Sequence, residues 1–190
     1  MHRRLFWELQ MTQIYEDTRQ QQAHGDKHAN KHTWWKEHGI EVERRKLEFG
    51  DYVRADGMSN IAVDTKRSID EVAGNVGREH DRFVRELDKA RDAGYRLIIL
   101  IEVGAPYKTI EDIKTWVSGA CKRCAAYKQH ECDPTKSGRC YRYRVKPMQG
   151  VGVYSRIKKL EHNHGCIFEI CRPGQSARHI CNLLGVEYER

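Results

Sequence analysis

Three residues in the first 70 positions have the types and spacing needed for metal-assisted chemistry on a phosphate ester. Asp51 follows Gly50, and thirteen residues after Asp51 comes the triplet Asp64-Thr65-Lys66. Residues two apart in a strand face the same side, so Asp64 and Lys66 should project together. Paired carboxylates bind Mg²⁺ or Mn²⁺, which polarises a phosphodiester and lowers the pKa of an attacking water. Lys66 would orient that water and neutralise charge developing on the phosphate.

A third carboxylate, Asp17, ends a predicted strand over Gln13–Asp17 and would complete the acidic cluster. A Gly-Asp or an Asp-x-Lys pair alone is common and is more often a turn or surface motif than a catalytic one. The order of the predicted strands and helices around these residues favours a catalytic site. Asp70 is expected near the start of a helix, where the helix dipole favours an acid.

Four of the seven cysteines lie within twenty residues, at Cys121, Cys124, Cys132 and Cys140. A Cys-x2-Cys pair supplies two thiolates from one turn, and four thiolates can hold a tetrahedral zinc ion. Zinc would also supply folding free energy to a polar segment. The alternative is that these are reduced thiols on a surface loop, and His130 is an alternative ligand. The remaining cysteines, Cys166, Cys171 and Cys181, occupy apolar positions and are expected in the core.

The chain has 190 residues and a formal charge of +7, nearly all of it in one segment. Residues 121–149 contribute +6 and the rest of the chain +1. The segment has almost no aliphatic residues, so it reads as an insertion in a single domain that spans residues 1–190. Basic residues alternating with tyrosine suit a polynucleotide, although an exposed hairpin shows the same alternation. The side chains expected to contact DNA are Lys122, Arg123, Lys128, Arg139, Arg142, Arg144 and Lys146.

The hydropathy of the chain argues against a membrane protein. No stretch approaches the roughly 18 apolar residues that a membrane span needs, and the basic first residues lack the apolar region of a secretory signal. We therefore expect an intracellular protein, in the cytoplasm of a bacterium or phage-infected host, or in the nucleus of a eukaryote. Seven cysteines, an odd number, also argue against a disulfide framework.

The predicted elements that must position these residues alternate between strands and helices. Residues 52–55 and 60–66 are predicted strands joined by the turn Asp56-Gly57, and Ser68 and Glu71 have the spacing of a capping box that begins a helix. Residues 20–31 are too polar to be predicted as more than a loop. Helices are predicted over residues 33–38, 78–93, 109–117, 151–162 and 173–184, and further strands over 96–103 and 166–171. This order predicts a layered α/β fold with helices flanking a mixed sheet.

These motifs together resemble the nuclease domain of the XPF family, the structure-specific endonucleases of excision repair in the PD-(D/E)XK nuclease superfamily. The central signature of that family reads GD, a spacer and ERKxxxD, and the corresponding residues are Gly50-Asp51 and Asp64-Thr65-Lys66-Arg67-Ser68-Ile69-Asp70. The early D-x-R motif of the family looks like Asp17-Thr18-Arg19, and its R-F helix looks like the one that contains Arg82-Phe83. The resemblance covers residues 14–185 outside the insertion.

The resemblance implies a restriction-endonuclease-like three-layer fold and a metal-dependent endonuclease that cuts branched, flap or junction DNA. The implied site consists of Asp17, Asp51, Asp64 and Lys66 for catalysis, the three aspartates as ligands of Mg²⁺ or Mn²⁺, and Arg19, Arg67 and Asp70 around them. Asp64 replaces the signature glutamate and keeps its charge. Thr65 replaces the signature arginine, which could alter substrate placement or reduce activity unless Arg67 compensates.

Two other functions stay open at this point. One is a catalytically weak DNA-binding or scaffolding subunit, and the other is a resolvase-like or restriction-type nuclease of the same superfamily. The presence of Asp51, Asp64 and Lys66 together favours an active enzyme. Relatives commonly dimerise through this domain, so the resemblance also implies a homodimer or heterodimer.

Overall fold

A six-stranded mixed sheet forms the centre of the computed structural model, which describes residues 13–19, 29–136, 138–140 and 142–189. The strands are β1 (Ile14–Asp17), β2 (Val42–Arg45), β3 (Tyr52–Arg54), β4 (Ile61–Lys66), β5 (Arg96–Glu102) and β6 (Ile167–Cys171). Their spatial order is β2-β1-β3-β4-β5-β6. Strand β3 runs antiparallel to both of its neighbours, whereas the other adjacent pairs are parallel.

Helices cover both faces of this sheet. The α-helices are α1 (Ala29–Glu37), α2 (Ile69–Asn75), α3 (His80–Asp92), α4 (Gly119–Lys122), α5 (Ala125–Lys128), α6 (Gly150–His164) and α7 (Ser176–Leu184). Helices α2, α3 and α6 pack on one face, around Phe83, Ile99 and Ile157. Helices α1 and α7 pack on the other, around Trp35 and Ile180. The predicted α/β class, with a mixed sheet between helical layers, is confirmed.

The link from β4 to α2 forms as the sequence predicts. The Ser68 hydroxyl accepts a hydrogen bond from the Glu71 backbone N–H at 3.1 Å and caps α2. The Glu71 carboxylate in turn accepts the backbone N–H of Arg67 at 2.9 Å. These bonds start a helix directly after the strand, so the last residues of β4 are held against the first turn of α2.

Several predicted boundaries are wrong. Helix α7 begins at Ser176 and not at residue 173, because residues 173–175 form a separate 3-10 turn. Helix α1 begins at Ala29, so residues 29–31 of the predicted loop are helical, and residues 20–28 lie outside the described residues. Lys31 is buried there because its ammonium pairs with Glu102, a long-range contact that no local pattern reveals. The helix predicted over 109–117 is a 3-10 helix over Ile110–Thr115. Thr109 and Asp112 form a capping box at its start, where the Asp112 carboxylate accepts the Thr109 N–H at 2.8 Å.

The basic segment folds outside the sheet, and in its described part it contains two short helices and no strand. Its ends are joined where they leave the domain. The Gly150 N–H donates to the Trp116 carbonyl at 2.8 Å, and the Ser118 N–H donates to the Gln149 side-chain carbonyl at 3.2 Å. The segment therefore leaves and re-enters the domain at one point, as expected of an insertion.

Within the described ranges, none of the helices has the length and apolar character that crossing a membrane requires.

The junction at Gly150 supplies a test of this packing. A Cβ on Gly150 would collide with the Ile113 carbonyl and lie 2.8 Å from the Lys114 carbonyl oxygen, and neither backbone group can rotate away. We expect Gly150→Ala to lower the free energy of unfolding in urea by about 1–3 kcal/mol. Gly74→Ala is the matched control, because nothing lies within 4 Å of its added Cβ. That change should stabilise by about 0.5–1 kcal/mol, and equal effects would contradict the proposed close approach.

Candidate active site

Three aspartates that lie on or directly before three adjacent strands form one row at one end of the sheet, which we call the acidic row. Glu16 pairs with Tyr52, and Tyr52 pairs with Val63. The next residues along these strands are Asp17, Asp51 and Asp64. The Asp17 N–H donates to the Asp51 carbonyl at 2.8 Å, which ties β1 to the start of β3. Cross-strand neighbours point to the same face, so the three carboxylates lie on the face covered by α2 and α3.

A cavity of about 420 Å³ surrounds this row. It is lined by Asp17, Arg19, Gly50, Asp51, Asp64, Thr65, Lys66, Arg67, Glu71, Arg82 and Glu86. Glu71 on α2 and Glu86 on α3 were not predicted as site residues. The sequence did contain a pattern for Glu86: it follows Arg82 by four residues, so the two side chains share one face of the helix. Their charged groups lie 3.7 Å apart in the structure.

The pair Asp64 and Lys66 places two opposite charges deep in the cavity. Asp64 is only 3% exposed. Lys66 Nζ donates to Asp64 Oδ1 at 2.9 Å. It also lies 2.8 Å from Oδ2, but that contact lacks hydrogen-bond geometry, and Oδ2 is buried without a hydrogen-bond partner. Asp64 and Lys66 thus lie on the same side of the strand, as predicted. Asp64 Oδ2 is the oxygen that remains without a hydrogen-bond donor.

The electrostatics of this pair favour bound protons. Burial raises the pKa of Asp64 to about 8, opposed by the charge of Lys66 and assisted by that of Asp51. Burial alone would lower the pKa of Lys66, but the Asp64 carboxylate overrides burial and raises it. Both shifts mean that the pair holds its protons more tightly than the separate groups would. A cation that binds Asp64 must therefore displace a proton near neutral pH.

Thr65, which stands in place of the signature arginine, fixes the orientation of Asp51. Its backbone N–H donates to Asp51 Oδ2 at 2.7 Å, and its hydroxyl donates to the same oxygen at 2.6 Å. Asp51 is therefore held firmly by the neighbouring strand.

Arg19 engages both oxygens of Asp17. The Arg19 N–H donates to Oδ1 at 3.0 Å, and its Nε donates to Oδ2 at 2.6 Å. The guanidinium also donates to the Leu47 carbonyl at 2.8 Å. Asp17 thus lies in the acidic row, but its carboxylate is already paired with the Arg19 guanidinium.

Of the other two residues expected around the site, only one lies at the cavity. Arg67 lines the cavity, whereas Asp70 lies outside it. The Asp70 Oδ1 atom instead accepts the backbone N–H of Gly119 at 2.9 Å, so this carboxylate anchors the start of the insertion. Arg67, Asp70 and Lys122 line a second cavity of about 300 Å³. Because Arg67 lines both cavities, the insertion begins directly beside the acidic row.

Comparisons with known proteins agree with this arrangement at the level of the fold. No family model and no curated protein matches the sequence. The structure is similar to that of XPF from Aeropyrum pernix, with a TM-score of 0.51 and 18% identity over 91% of this chain. The fold is XPF-like. The chain spans 60% of the length of that XPF chain, and at this identity the similarity shows the fold alone.

The acidic row supplies the carboxylate oxygens that a divalent cation prefers, but it does not form a complete set of metal ligands. Nowhere in the described ranges do three or more His, Cys, Asp or Glu side chains form a group that could hold a metal ion. In the acidic row, Arg19 and Lys66 occupy the places next to Asp17 and Asp64. The donor type nevertheless fits Mg²⁺ or Mn²⁺, which prefer carboxylate oxygens, and the buried Asp64 Oδ2 lacks a hydrogen-bond donor.

The insertion keeps its basic side chains at the surface and its four cysteines as free thiols. Cys121 is buried, and Cys124, Cys132 and Cys140 are half-buried. Six of the seven basic residues expected to contact DNA are exposed, and Lys146 is half-buried with its ammonium on the Lys136 carbonyl. The prediction of core positions for Cys166, Cys171 and Cys181 is confirmed.

The raised pKa of Asp64 predicts how stability depends on pH without metal. Its pKa in the fold, about 8, exceeds the ordinary value of 3.8, so its stabilising contribution is present below the ordinary pKa and is lost as the pH rises through about 8. We expect the free energy of unfolding in EDTA to fall between about pH 5 and pH 8. Asp64→Asn should remove or reverse this slope.

A second aspartate controls for the loss of a carboxylate. Asp56 is exposed, and its hydrogen bond from Arg54 lowers its pKa, so its contribution is lost only in acid. Asp56→Asn should therefore keep the wild-type slope above about pH 5. A wild-type slope in Asp64→Asn would contradict the assignment.

Proposed function

We propose that this chain is a metal-dependent DNA endonuclease that hydrolyses phosphodiester bonds in the cavity around the acidic row. The observation that carries the proposal is the convergence of Asp51, Asp64 and Lys66 at one end of the sheet. The XPF-like fold and the resemblance of the signature residues to those of the XPF nuclease family support it.

The residues of the cavity would divide the chemistry as follows. Asp51 and Asp64 would hold a Mg²⁺ or Mn²⁺ ion, which supplies a polarised phosphate and an acidified water. Lys66, kept protonated by Asp64, would position the water and neutralise charge developing on the phosphate. Thr65 holds Asp51 in orientation, and Asp17 holds Arg19 at the cavity wall. We therefore assign Asp17 a positioning role in the acidic cluster.

The charges of the cavity also explain why a cation should precede the substrate. The lining contains five carboxylates and four cationic side chains. With every group ionised it is slightly negative, which disfavours a phosphate backbone. A bound divalent cation would reverse that sign and make the cavity attractive to a phosphate backbone.

The basic insertion is the second part of the proposed DNA surface. Its first basic residue, Lys122, lines the cavity that shares Arg67 with the acidic row, so one DNA strand can reach both. Exposed Arg and Lys side chains contact phosphates without reading sequence, which suits a nuclease that selects DNA by shape. We propose branched, flap or junction DNA as the substrate, in line with the resembling family.

Cleavage assays test the catalytic proposal. Flap, fork, junction and linear DNA should be incubated with Mg²⁺ or Mn²⁺, and we expect cleavage of a branched substrate. Asp64→Asn and Lys66→Met should each reduce the rate by at least about a hundredfold, because each removes charge placed at the reacting phosphate. Asp92→Asn is the matched control, since this aspartate is 70% exposed at the end of α3. Equal cleavage by wild type and Asp64→Asn would rule out the site.

The same assay separates the second candidate function. Thr65 in place of the signature arginine is the observation that favours a catalytically weak DNA-binding subunit. That function predicts DNA binding by wild type with no cleavage in either metal. Cleavage that is lost in Asp64→Asn would exclude it.

The contribution of the insertion to DNA binding is measurable through salt. In an Asp64→Asn background, we expect Lys122→Gln, Lys128→Gln and Arg139→Gln together to lower the slope of log affinity against log salt by about one per lost phosphate contact.

A triple control on the rest of the surface uses exposed cations of α1, α6 and α7, namely Lys36→Gln, Lys159→Gln and Arg178→Gln. These changes remove the same charge and should leave the slope unchanged. If both triple variants had the same slope, the insertion would not be the DNA-binding segment.

A further inference from the structure

The cysteines of the insertion take no part in the proposed nuclease chemistry, and their surroundings differ from those of the core cysteines. Burial in the apolar core raises the pKa of Cys166 and Cys171 to about 12 and that of Cys181 to about 11. Such thiols stay protonated and unreactive. Three of the four insertion cysteines are instead only half-buried, and polar or cationic groups contact Cys121, Cys124 and Cys140.

Two of the insertion sulfurs accept N–H hydrogen bonds. The Tyr143 backbone N–H donates to Cys140 Sγ at 3.4 Å, and the Gln149 side-chain amide donates to Cys121 Sγ at 3.4 Å. The second of these bonds holds the end of the insertion against its first cysteine.

The third sulfur, that of Cys124, lies in the turn that the Cys-x2-Cys pair requires. The Cys124 N–H donates to the Cys121 carbonyl at 2.8 Å, so the two cysteines flank one tight turn. Backbone N–H groups of Tyr127 and Ala126, with the Arg142 guanidinium, hold the pKa of Cys124 below its ordinary value. Helix α5 begins immediately after this residue, which fixes the turn.

The four thiols also act on one another. Burial raises the pKa of Cys121, and the like charges of Cys140, Cys132 and Cys124 raise it further. The other three insertion sulfurs therefore lie close enough to Cys121 for their charges to reach it. A cation bound among four thiolates would turn their mutual repulsion into shared attraction.

The insertion also lacks the usual source of folding free energy. In the described part of residues 121–149, Cys121 and Pro134 are the only buried apolar side chains. Helix α5 and the last two residues of α4 make up its regular structure there. A segment with so little apolar burial needs another source of stability, and a structural metal supplies one.

We propose that Cys121, Cys124, Cys132 and Cys140 bind one structural zinc ion that fixes the fold of the insertion. Four soft sulfur ligands select zinc among the common divalent ions of cells. The sulfurs do not form a ready-made ligand group in the described structure. Cys132 and Cys140 lie on chain without helix or strand, so closing the set around zinc moves loop segments and leaves the core in place.

The zinc site would order the DNA-binding side chains. Lys122 and Arg123 lie between the first two cysteines, and Arg139 directly precedes the last one. Their backbone positions are therefore set by the metal ligands on either side. This role is separate from the proposed cleavage chemistry, so the zinc proposal stands or fails independently of nuclease activity.

Zinc content of the reduced, purified full chain tests the proposal directly. We expect one zinc per chain by elemental analysis in wild type. Cys124→Ser and Cys132→Ser should each lose most of it. Cys181→Ala, a core cysteine outside the insertion, should keep it. A wild type without zinc that also takes up none on addition would overturn the proposal, as would equal zinc in the Cys124→Ser and wild-type chains.

A second measurement covers variants that fail to fold. Wild type stripped of zinc with a chelator should be refilled with Co²⁺ alone, and four thiolate ligands should give the strong thiolate-to-cobalt absorption of a tetrahedral site. Trypsin should cut the stripped chain within residues 121–149 at least about tenfold faster than the refilled chain, since folding of the segment is linked to metal binding. Absence of the thiolate-to-cobalt absorption, or equal proteolysis of both forms, would overturn the proposal.

Discussion

A carboxylate buried without its full set of hydrogen bonds is costly to fold, and this protein keeps one at Asp64. The surrounding structure limits that cost in two ways. Lys66, two residues along the same strand, supplies a positive charge on the same face. Burial also raises the pKa of Asp64 to about 8, so this carboxyl holds a proton near neutral pH. A metal ion can take the place of that proton, because it supplies the positive charge that a buried carboxylate needs, and this exchange is the physical basis of the proposed metal site.

The register of three strands holds the acidic row together. Asp17, Asp51 and Asp64 share a row only because β1 and β4 both pair antiparallel with β3. A slip of one residue in either pair would turn a carboxylate to the opposite face of the sheet. The register is itself fixed by the core, because Tyr52 and Val63, the strand residues next to Asp51 and Asp64, are fully buried. The packing of the buried residues and the alignment of the three aspartates therefore depend on the same strand register.

The sequence predicted those features that depend on local patterns. Strand β5 followed from its apolar run, the start of α2 from the spacing of Ser68 and Glu71, and the common side of Asp64 and Lys66 from strand alternation. The contacts that it did not predict join distant segments. Asp70 bonds to Gly119, 49 residues away, and Lys31 of α1 pairs with Glu102 at the end of β5. Such partners are set by topology, so the part played by Asp70 and the true start of α1 became visible only in the fold.

The way the insertion is closed at its base has a consequence for how proteins of this shape can diversify. The Gly150 N–H reaches the Trp116 carbonyl at 2.8 Å, so the two flanks meet before the inserted chain begins. The distance between the two flanks therefore does not depend on the length of the segment inserted between them. Segments of other size and chemistry could be exchanged at this point without stretching the sheet or disturbing the acidic row. The junction also borders the second cavity, which Trp116 lines, so an exchanged segment would change the surface next to the acidic row and leave the row itself unchanged.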